Sequence, residues 1–367
     1  MDVVDVPWVI RAELIEVRIP LVRPLTSADS SMTHRNAVLL CLTDQSDNQG
    51  WAECGADNSP YYLPESSATA WDALENIAIP NYLQSGNLDE DALALQPLAR
   101  STALGALLDL TAARNNIGFS QLIGGTLPHV EVGAVLGKND DLEGLLSEAS
   151  AYVDAGYRRL KLKISPGFDQ EPLRELRNAF SDMDLAADAN GSYHPDDIGI
   201  LESLDELELS FLEQPFPSPG WDAHTTLESQ IQTPICLDES LTSPAKIAHA
   251  IEIGATSVVT IKAGKLGGTD RAMEAITLCE AQGVPAWIGG LVETGVGRTH
   301  SVALASLPGC TMPADLSGSN RYFARDLTSP WATEAGMLFP LGSPTASSVD
   351  EDAIDEFSVR RKSFERV

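Results

Sequence analysis

Five ionisable residues recur through the middle of the chain at an almost constant interval, and each ends a short apolar or β-rich run. The intervals between neighbours are 25, 25, 25 and 24 residues. One strand, one helix and two loops fill an interval of this size, and the carboxyl ends of successive parallel strands point at a shared centre. The pattern therefore predicts a (β/α) barrel with an active site at the strand ends. The five residues are Lys163, Asp188, Glu213, Asp238 and Lys262.

The order of predicted elements divides the chain into different segments. Apolar residues alternate in strand fashion at Arg11–Pro20 and Ala37–Leu42, and helical spacing follows, which predicts an α+β domain over residues 1–128. Strands and helices alternate over residues 129–324, which predicts an α/β fold of the modified (β/α)7β, TIM-barrel type. The acidic, irregular segment 325–367 is expected to pack back on the first domain.

The boundaries of several elements are also predicted. A polar stretch from Arg23 to His34 separates the first two strands, and helices are expected over Glu65–Gly86 and Asp89–Asn116. The eighth and last strand of the barrel is placed at Thr311–Met312.

Composition narrows the class of protein. The net charge of −29 argues against a nucleic acid or an anionic membrane as partner. The sequence has no apolar run long enough to span a bilayer, and its first residues do not form the basic and apolar pattern of a secretory signal. Its five cysteines are widely spaced without a CxxC pair, which is typical of reduced thiols in a cytoplasmic protein.

The three carboxylates of the series predict a metal site. Asp188, Glu213 and Asp238 come from three adjacent predicted strands, and carboxylates brought this close repel unless a cation holds them. Oxygen ligands suit a hard ion, so Mg²⁺ or Mn²⁺ is expected, with water and substrate completing its coordination.

The two lysines of the series predict proton chemistry. Lys163 and Lys262 stand on either side of the carboxylates in strand order, and a lysine beside a divalent ion is a competent general base. The combination suggests removal of the proton next to a substrate carboxylate, with the metal stabilising the enediolate. Lys161 shares a strand face with Lys163, where either substrate contact or electrostatic support of Lys163 would explain it.

Further residues near the predicted strand ends have two interpretations. Asn190 is expected to hydrogen-bond the metal ligands, and Gly290 would let the backbone approach a ligand closely. Glu239 and Glu293 are expected near the substrate, but structural salt bridges would explain them equally well. Taken singly, each acid or lysine is more often a solvated surface group.

Several motifs around these residues resemble one known family over nearly the whole chain. They are similar to those of the enolase superfamily, muconate-lactonizing subgroup. Residues 289–298, Leu307-Pro308 and Arg321-Tyr322-Phe323 are similar to its o-succinylbenzoate synthase and N-succinylamino acid racemase branch. The motifs are Lys161-Leu162-Lys163, Asp188-Ala189-Asn190, Leu212-Glu213-Gln214-Pro215, Leu237-Asp238-Glu239-Ser240 and the stretch 261–268.

The resemblance implies a capping domain built from both terminal segments over a (β/α)7β barrel, with Mg²⁺ on the three carboxylates. It implies that Lys163 takes the α-proton and then protonates the leaving hydroxide, while Lys262 stabilises the enediolate as a cation. A loop at about residues 23–35 would close over the substrate, and family habit implies a homo-oligomer.

Three departures from the branch fall where the resemblance places substrate. Leu291 stands where the branch has Met, Val135 lies where relatives often have a nearby serine, and Pro24-Leu25 lacks the usual aromatic residue. These positions bear on substrate choice and leave the proton chemistry unchanged.

The first functional hypothesis is an o-succinylbenzoate synthase, which dehydrates a cyclohexadiene carboxylate in menaquinone synthesis. The second is an N-succinylamino acid racemase, with both activities in one protein as a variant of it. A cycloisomerase or dipeptide epimerase would use the same scaffold. A glycoside hydrolase would use a carboxylate pair but gives the two lysines no role, and a non-catalytic barrel gives no reason for all five groups.

Overall fold

The computed structural model describes residues 8–26, 31–60, 63–139 and 141–366. Its two main sheets are an antiparallel sheet of four strands and a parallel sheet of seven. The strands are β1 Val9–Thr26, β2 Ser31–Asp44, β3 Gln49–Cys54, β4 Val130–Glu131, β5 Gly133–Leu136, β6 Arg159–Lys163, β7 Asp184–Asp188, β8 Leu212–Glu213, β9 Ile235–Leu237, β10 Val258–Ile261, β11 Ala286–Ile288, β12 Met337–Leu338 and β13 Ser358–Glu365.

Helices cover the sheets, and within the described residues no helix is both long and apolar enough to cross a bilayer. The α-helices are α1 Ser67–Ala73, α2 Ile79–Ser85, α3 Pro97–Arg114, α4 Phe119–Ile123, α5 Leu142–Asp154, α6 Gln170–Ala179, α7 Ile198–Glu202, α8 Trp221–Glu228, α9 Pro244–Glu252, α10 Ala263–Leu266, α11 Thr269–Gln282, α12 Gly295–Ala305 and α13 Glu351–Phe357.

The antiparallel sheet has the order β13-β1-β2-β3 and is covered on both faces. Successive residues of a strand point to opposite faces, so Leu14 and Leu40 pack with the helical part of the first domain. Ile15 and Leu39 pack on the other face against Val296 of α12 and the C-terminal segment. The second face therefore joins this sheet, called the cap sheet below, to the barrel.

Two boundaries in this region differ from the sequence prediction. The stretch Arg23–His34 was expected to be a loop, but β1 continues to Thr26 and β2 begins at Ser31; residues 27–30 lie outside the described part of the chain. The second predicted helix begins late, at Pro97, because Pro is favoured in the first turn and the carboxylate of Glu65 accepts bonds from Leu98 and Ala99 N–H there.

The parallel sheet runs from β5 to β11 in chain order and is closed by a short eighth segment. Ala314 bridges to Val132 at one edge, and Asp315 bridges to Gly289 at the other. The eighth strand, predicted at Thr311–Met312, was therefore placed three residues too early. Thr311 N–H donates to the Ala286 carbonyl of β11 at 3.0 Å, and Pro313 separates this bond from the two bridges that complete the barrel.

In the amino-terminal half of the barrel interior, Arg159 packs against a small apolar core. Phe211 and Trp287 belong to a small interior core, and the guanidinium carbon of Arg159 lies 5.0 Å and 4.6 Å from their ring centres. Arg159, Lys161 and Lys163 alternate along β6, so this one strand face places three cations in order from the floor of the barrel to its mouth.

We propose the domain boundaries given above, a cap of residues 1–128 with 325–367 and a barrel of residues 129–324. Two observations support this division. Strand β13 pairs with β1 in the cap sheet, from Arg11 opposite Glu365 to Val17 opposite Ser358. Helix α13 contributes Ile354 to the core on that sheet.

Candidate active site

The three acidic residues of the series lie side by side at the carboxyl ends of their strands. Asp188 ends β7 and is in register with Glu213, which ends β8, and Asp238 directly follows β9. All three side chains are buried. Burial raises the pKa of Glu213 to about 8, and repulsion from Asp188 and Asp238 contributes to the rise. The barrel therefore concentrates negative charge where a cation would stabilise it.

The two lysines of the series contact this trio from opposite sides. Lys163 Nζ lies 2.7 Å from Asp188 Oδ2, and Lys262 Nζ lies 2.6 Å from Asp238 Oδ2. Their strands, β6 and β10, have three strands between them in the sheet, so the amines face each other across the barrel mouth. Gly289 leaves room for this arrangement, because a Cβ there would lie 2.6 Å from Lys262 Cε.

Lys161 lies deeper in the barrel, among three carboxylates. Its Nζ contacts Glu213, lies 3.3 Å from Asp188 Oδ2 and lies 2.5 Å from Asp315 Oδ2. Burial opposes the charge, but attraction to Asp315, Glu213 and Asp188 holds the pKa of Lys161 well above its usual value. These contacts support the interpretation of Lys161 as an electrostatic support rather than a direct substrate contact.

Asp315 is a residue of this network that the sequence analysis missed. Besides Lys161 it binds Arg159, whose Nη2 lies 2.8 Å from Asp315 Oδ1. Burial alone would raise the pKa of Asp315, but the two cations lower it to about 2. Asp315 thereby links the cation-containing floor of the barrel to its mouth.

Lys265 is the second residue that was missed. It lies in the short helix α10, three residues after Lys262, and its Nζ lies 2.6 Å from Asp238 Oδ1. It also donates to the backbone oxygen of Asp238. Asp238 is thus bound by two ammonium groups. Burial by itself would raise the pKa of Asp238, but the charges of Lys262 and Lys265 lower it.

Asn190 and Glu239 extend the site from Lys163. Asn190 Oδ1 accepts a hydrogen bond of 2.6 Å from Lys163 Nζ, and its Nδ2 donates to Glu239 Oε1 at 3.0 Å. Burial, and then repulsion from Asp238, raises the pKa of Glu239. The amide therefore orients the Lys163 amine, and Glu239 in turn orients the amide.

The loop after β11 places Glu293 differently from expectation. Its carboxylate accepts bonds from Leu291 N–H at 2.8 Å and Ser301 Oγ at 3.2 Å, so it turns back on its own loop and α12. These bonds give Glu293 a structural role within the loop, and its expected position near the substrate stays a prediction. Gly290 comes close to the eighth segment, since a Cβ there would lie 2.9 Å from the Asp315 carbonyl oxygen.

Leu291 and Val135 lie at different places around the mouth. Leu291 borders a cleft between cap and barrel, and its side chain lies against Gly55. Val135 is opposite Lys161 in the β5–β6 register, and its carbonyl accepts a bond from the guanidinium of Arg321.

The donor chemistry of the carboxylate trio fits a hard divalent cation. Three carboxylates from adjacent strands supply oxygen ligands. Burial, and then repulsion from Asp188 and Asp238, raises the pKa of Glu213, and such an ion would relieve this repulsion. As they stand, no three acidic, histidine or cysteine side chains in the described part of the chain form a metal-binding group. Each carboxylate of the trio contacts a lysine ammonium instead.

Comparison with known proteins identifies the family. Residues 144–344 match the family described as Enolase C-terminal domain-like. This chain belongs to the enolase superfamily. An o-succinylbenzoate synthase from Geobacillus stearothermophilus is 33% identical over 96% of this chain and 96% of its own.

Two further relatives extend the comparison. An N-succinylamino acid racemase from Amycolatopsis is 35% identical over 95% of this chain and 97% of its own. The crystal structure of an enolase superfamily member from Listeria innocua superposes with a TM-score of 0.93 at 27% identity, covering 98% of this chain and all of that one. The α/β barrel fold with a separate antiparallel sheet is therefore confirmed.

Proposed function

We propose that this protein is an o-succinylbenzoate synthase that dehydrates 2-succinyl-6-hydroxy-2,4-cyclohexadiene-1-carboxylate with Mg²⁺, or Mn²⁺, as cofactor. The observation that carries the proposal is the placement of two lysine amines on opposite sides of three buried carboxylates. The full-length similarity to proteins named o-succinylbenzoate synthase supports the choice of reaction.

In this proposal Asp188, Glu213 and Asp238 hold the metal ion. When bound, the ion would neutralise the substrate carboxylate and the negative charge that develops beside it. Lysine ammonium groups now contact the three carboxylates, and with the ion in their place the amines of Lys163 and Lys262 would be available to the substrate. The remaining positive charge of Lys161 and Lys265 stays beneath and beside the site.

Lys163 performs both proton steps of the proposed dehydration. Its neutral amine takes the proton from the carbon next to the substrate carboxylate, and the resulting ammonium gives this proton to the departing hydroxyl group. One C–H bond and one C–O bond break, a ring double bond forms, and water leaves. Asn190 positions the amine through its 2.6 Å hydrogen bond. Lys262 remains a cation on the opposite face, where it stabilises the developing negative charge.

A racemase of N-succinylamino acids is the second candidate. Lysines on both faces are what a racemase needs, because one removes the α-proton and the other returns it on the opposite side. The identities of 33% and 35% to the two kinds of relative do not separate the reactions. Both reactions act on a small carboxylate substrate, and the acidic chain offers no charge for a nucleic acid.

The proposal extends to location and assembly. The five cysteines, all free, fit the reducing cytoplasm. The proposal that the protein is a homo-oligomer rests on the family resemblance alone. Analytical ultracentrifugation, which measures the mass of the assembly, tests it.

A direct assay tests the proposed reaction. The menaquinone precursor is supplied with Mg²⁺, and exchange of the α-proton of N-succinyl amino acids in D₂O is measured beside it. Dehydration without exchange supports the synthase, and exchange without dehydration supports the racemase. If the protein shows neither dehydration nor exchange, both assignments are overturned.

Substitution of the base should abolish whichever activity is found. We expect Lys163→Ala to lower kcat by about 10²- to 10⁴-fold, the usual contribution of a general base. Lys246→Ala is the matched control, because this exposed lysine donates only to Thr242 among its described contacts. Activity that survives both Lys163→Ala and prolonged dialysis against EDTA would contradict the mechanism and the metal.

A further inference from the structure

Arg35 is a buried cation of the cap that faces the barrel. It lies near the start of β2, and only 1% of the residue is exposed. Alternation along the strand places it on the same face as Ala37 and Leu39, which pack against Val296 of the barrel helix α12. Arg35 therefore points from the cap sheet toward the barrel side of the interface.

The guanidinium of Arg35 is only partly used. Its Nη1 donates to Asp57 Oδ1 at 2.6 Å. In the described part of the chain, its Nε and Nη2 are buried without a hydrogen-bond partner. Buried donors of a charged group normally have acceptors, so an unpaired edge of this kind marks a place for one. Nε and Nη2 form one side of the planar fork, which matches the two oxygens of a carboxylate.

Among the described residues the nearby acids are already occupied, which leaves this edge for an acceptor from outside the protein. Glu53, on the same sheet face, feels the charge of Arg35, but its carboxylate accepts bonds from Thr294 N–H and Oγ1 and from Gly297 N–H. Asp57 already holds Nη1.

A cleft separates the partner of Arg35 from the active site. This partner, Asp57, lines the cleft together with Leu291 and Lys265. Lys265 also binds Asp238, one of the proposed metal ligands. The cleft therefore lies between Asp57, the partner of Arg35, and Lys265, the partner of Asp238.

We propose that the Nε–Nη2 edge of Arg35 binds the distal carboxylate of the substrate's succinyl chain. This inference rests on the proposed function, because that substrate carries two carboxylates separated by the succinyl chain. The one next to the reacting carbon belongs at the metal site, so the other extends into the cleft and needs a cation. Arg100 does not serve, because it is bound to Glu90 and Asp270, and Lys265 is bound to Asp238. Arg35 thereby selects succinylated substrates over neutral acyl ones.

The test compares two ligands that differ only in that carboxylate. Binding of the product o-succinylbenzoate and of 2-butyrylbenzoate, in which a methyl group replaces the distal carboxylate, is measured by calorimetry with Mg²⁺. For Arg35→Met we expect affinity for o-succinylbenzoate to fall about 10- to 100-fold, as for the loss of a charged hydrogen bond, with affinity for 2-butyrylbenzoate unchanged. Arg18→Met is the matched control, since Arg18 is exposed on the same sheet.

The two ligands separate a binding role from a structural one. Equal losses for both ligands, or no loss for either, would overturn the inference. Dehydration of the precursor is measured with the same variants, and kcat/KM should fall in Arg35→Met by the same factor. If wild type binds o-succinylbenzoate through Arg35 but does not dehydrate the precursor, the proposed reaction fails and the Arg35 site stands. If wild type dehydrates it and Arg35→Met does so equally well, only the Arg35 site fails.

Discussion

Asp315 in the barrel and Asp109, which lies beside His300 of α12 at the interface between cap and barrel, are both buried carboxylates, but their surroundings shift the pKa in opposite directions. In the barrel, Asp315 lies between Arg159 and Lys161, and the pKa of its carboxyl is lowered to about 2. At the interface, Asp109 accepts bonds from Thr345 Oγ1 at 2.5 Å and Trp51 N–H at 2.8 Å, and burial raises its pKa to about 7.

The difference between these regions is the presence of a neighbouring cation. Hydrogen bonds from hydroxyl and backbone N–H groups satisfy Asp109 but do not offset the cost of burying its charge. Two ammonium or guanidinium groups do so for Asp315. Asp315 therefore keeps its negative charge in the barrel, while burial without a strong counter-charge holds Asp109 nearly neutral at the interface.

Removing the acid between the two barrel cations should have the largest effect on stability. Asp315→Asn leaves Arg159 and Lys161 facing each other without that counter-charge, and we expect a loss of about 3–5 kcal/mol in the free energy of unfolding. Urea denaturation measures it, with the exposed Asp182→Asn as control. A loss below about 1 kcal/mol would mean that the barrel cations do not depend on this carboxylate.

The raised pKa of Asp109 should make the free energy of unfolding depend on pH. Asp109 keeps its proton in the folded protein up to about pH 7, but in the unfolded chain it loses the proton near its ordinary value of 3.8. Its contribution to stability therefore falls as pH rises through this window. His300, whose Nε2 lies 4.0 Å from Asp109, has the opposite sign, because burial lowers its pKa to about 4. The two contributions largely cancel in the wild type.

Asp109→Asn should remove one side of this cancellation. Relative to wild type, its free energy of unfolding should rise by about 2 kcal/mol between about pH 4.5 and 6.5. Urea denaturation at both pH values measures the change. His300→Gln should shift in the reverse direction, and parallel pH profiles for all three proteins would refute the opposed titration.

The smallest effect is expected for the cap residue that binds α12. Glu53 accepts bonds from Thr294 and Gly297 at the start of that helix. Glu53→Gln keeps one acceptor oxygen and replaces the other with a donor, so a loss of about 1 kcal/mol is expected near pH 5, where Glu53 is protonated. Thermal unfolding measures it, and a loss as large as that of Asp315→Asn would remove the distinction between the regions.

The sequence predicted the barrel and the positions of its strand-end charges because both follow from one repeated length. A β/α unit of constant size puts Lys163, Asp188 and Glu213 at equivalent places, and alternation along a strand puts Lys161 on the same face as Lys163. These inferences need only the spacing along the chain.

Asp315, Lys265 and Arg35 could not be found in this way, for physical reasons. Asp315 lies in a segment held by isolated bridges, which leaves no strand pattern in the sequence. Lys265 follows a helical turn after Lys262 within a glycine-rich stretch that resembles an ordinary βα connection. Arg35 belongs to a stretch that was interpreted as a loop, and its unpaired edge is visible only once its neighbours are placed.

The pairing of β1 with β13 has a consequence for how the protein is made. During translation β1 is synthesised first and its neighbour β13 last, so the ribosome has produced every barrel strand before one edge of the cap sheet can close. Until then β1 exposes an unpaired strand edge, which is prone to association with other chains. A nascent chain that stops before residue 358 would therefore contain the barrel but leave the β1 edge of the cap sheet unpaired and prone to association with other chains.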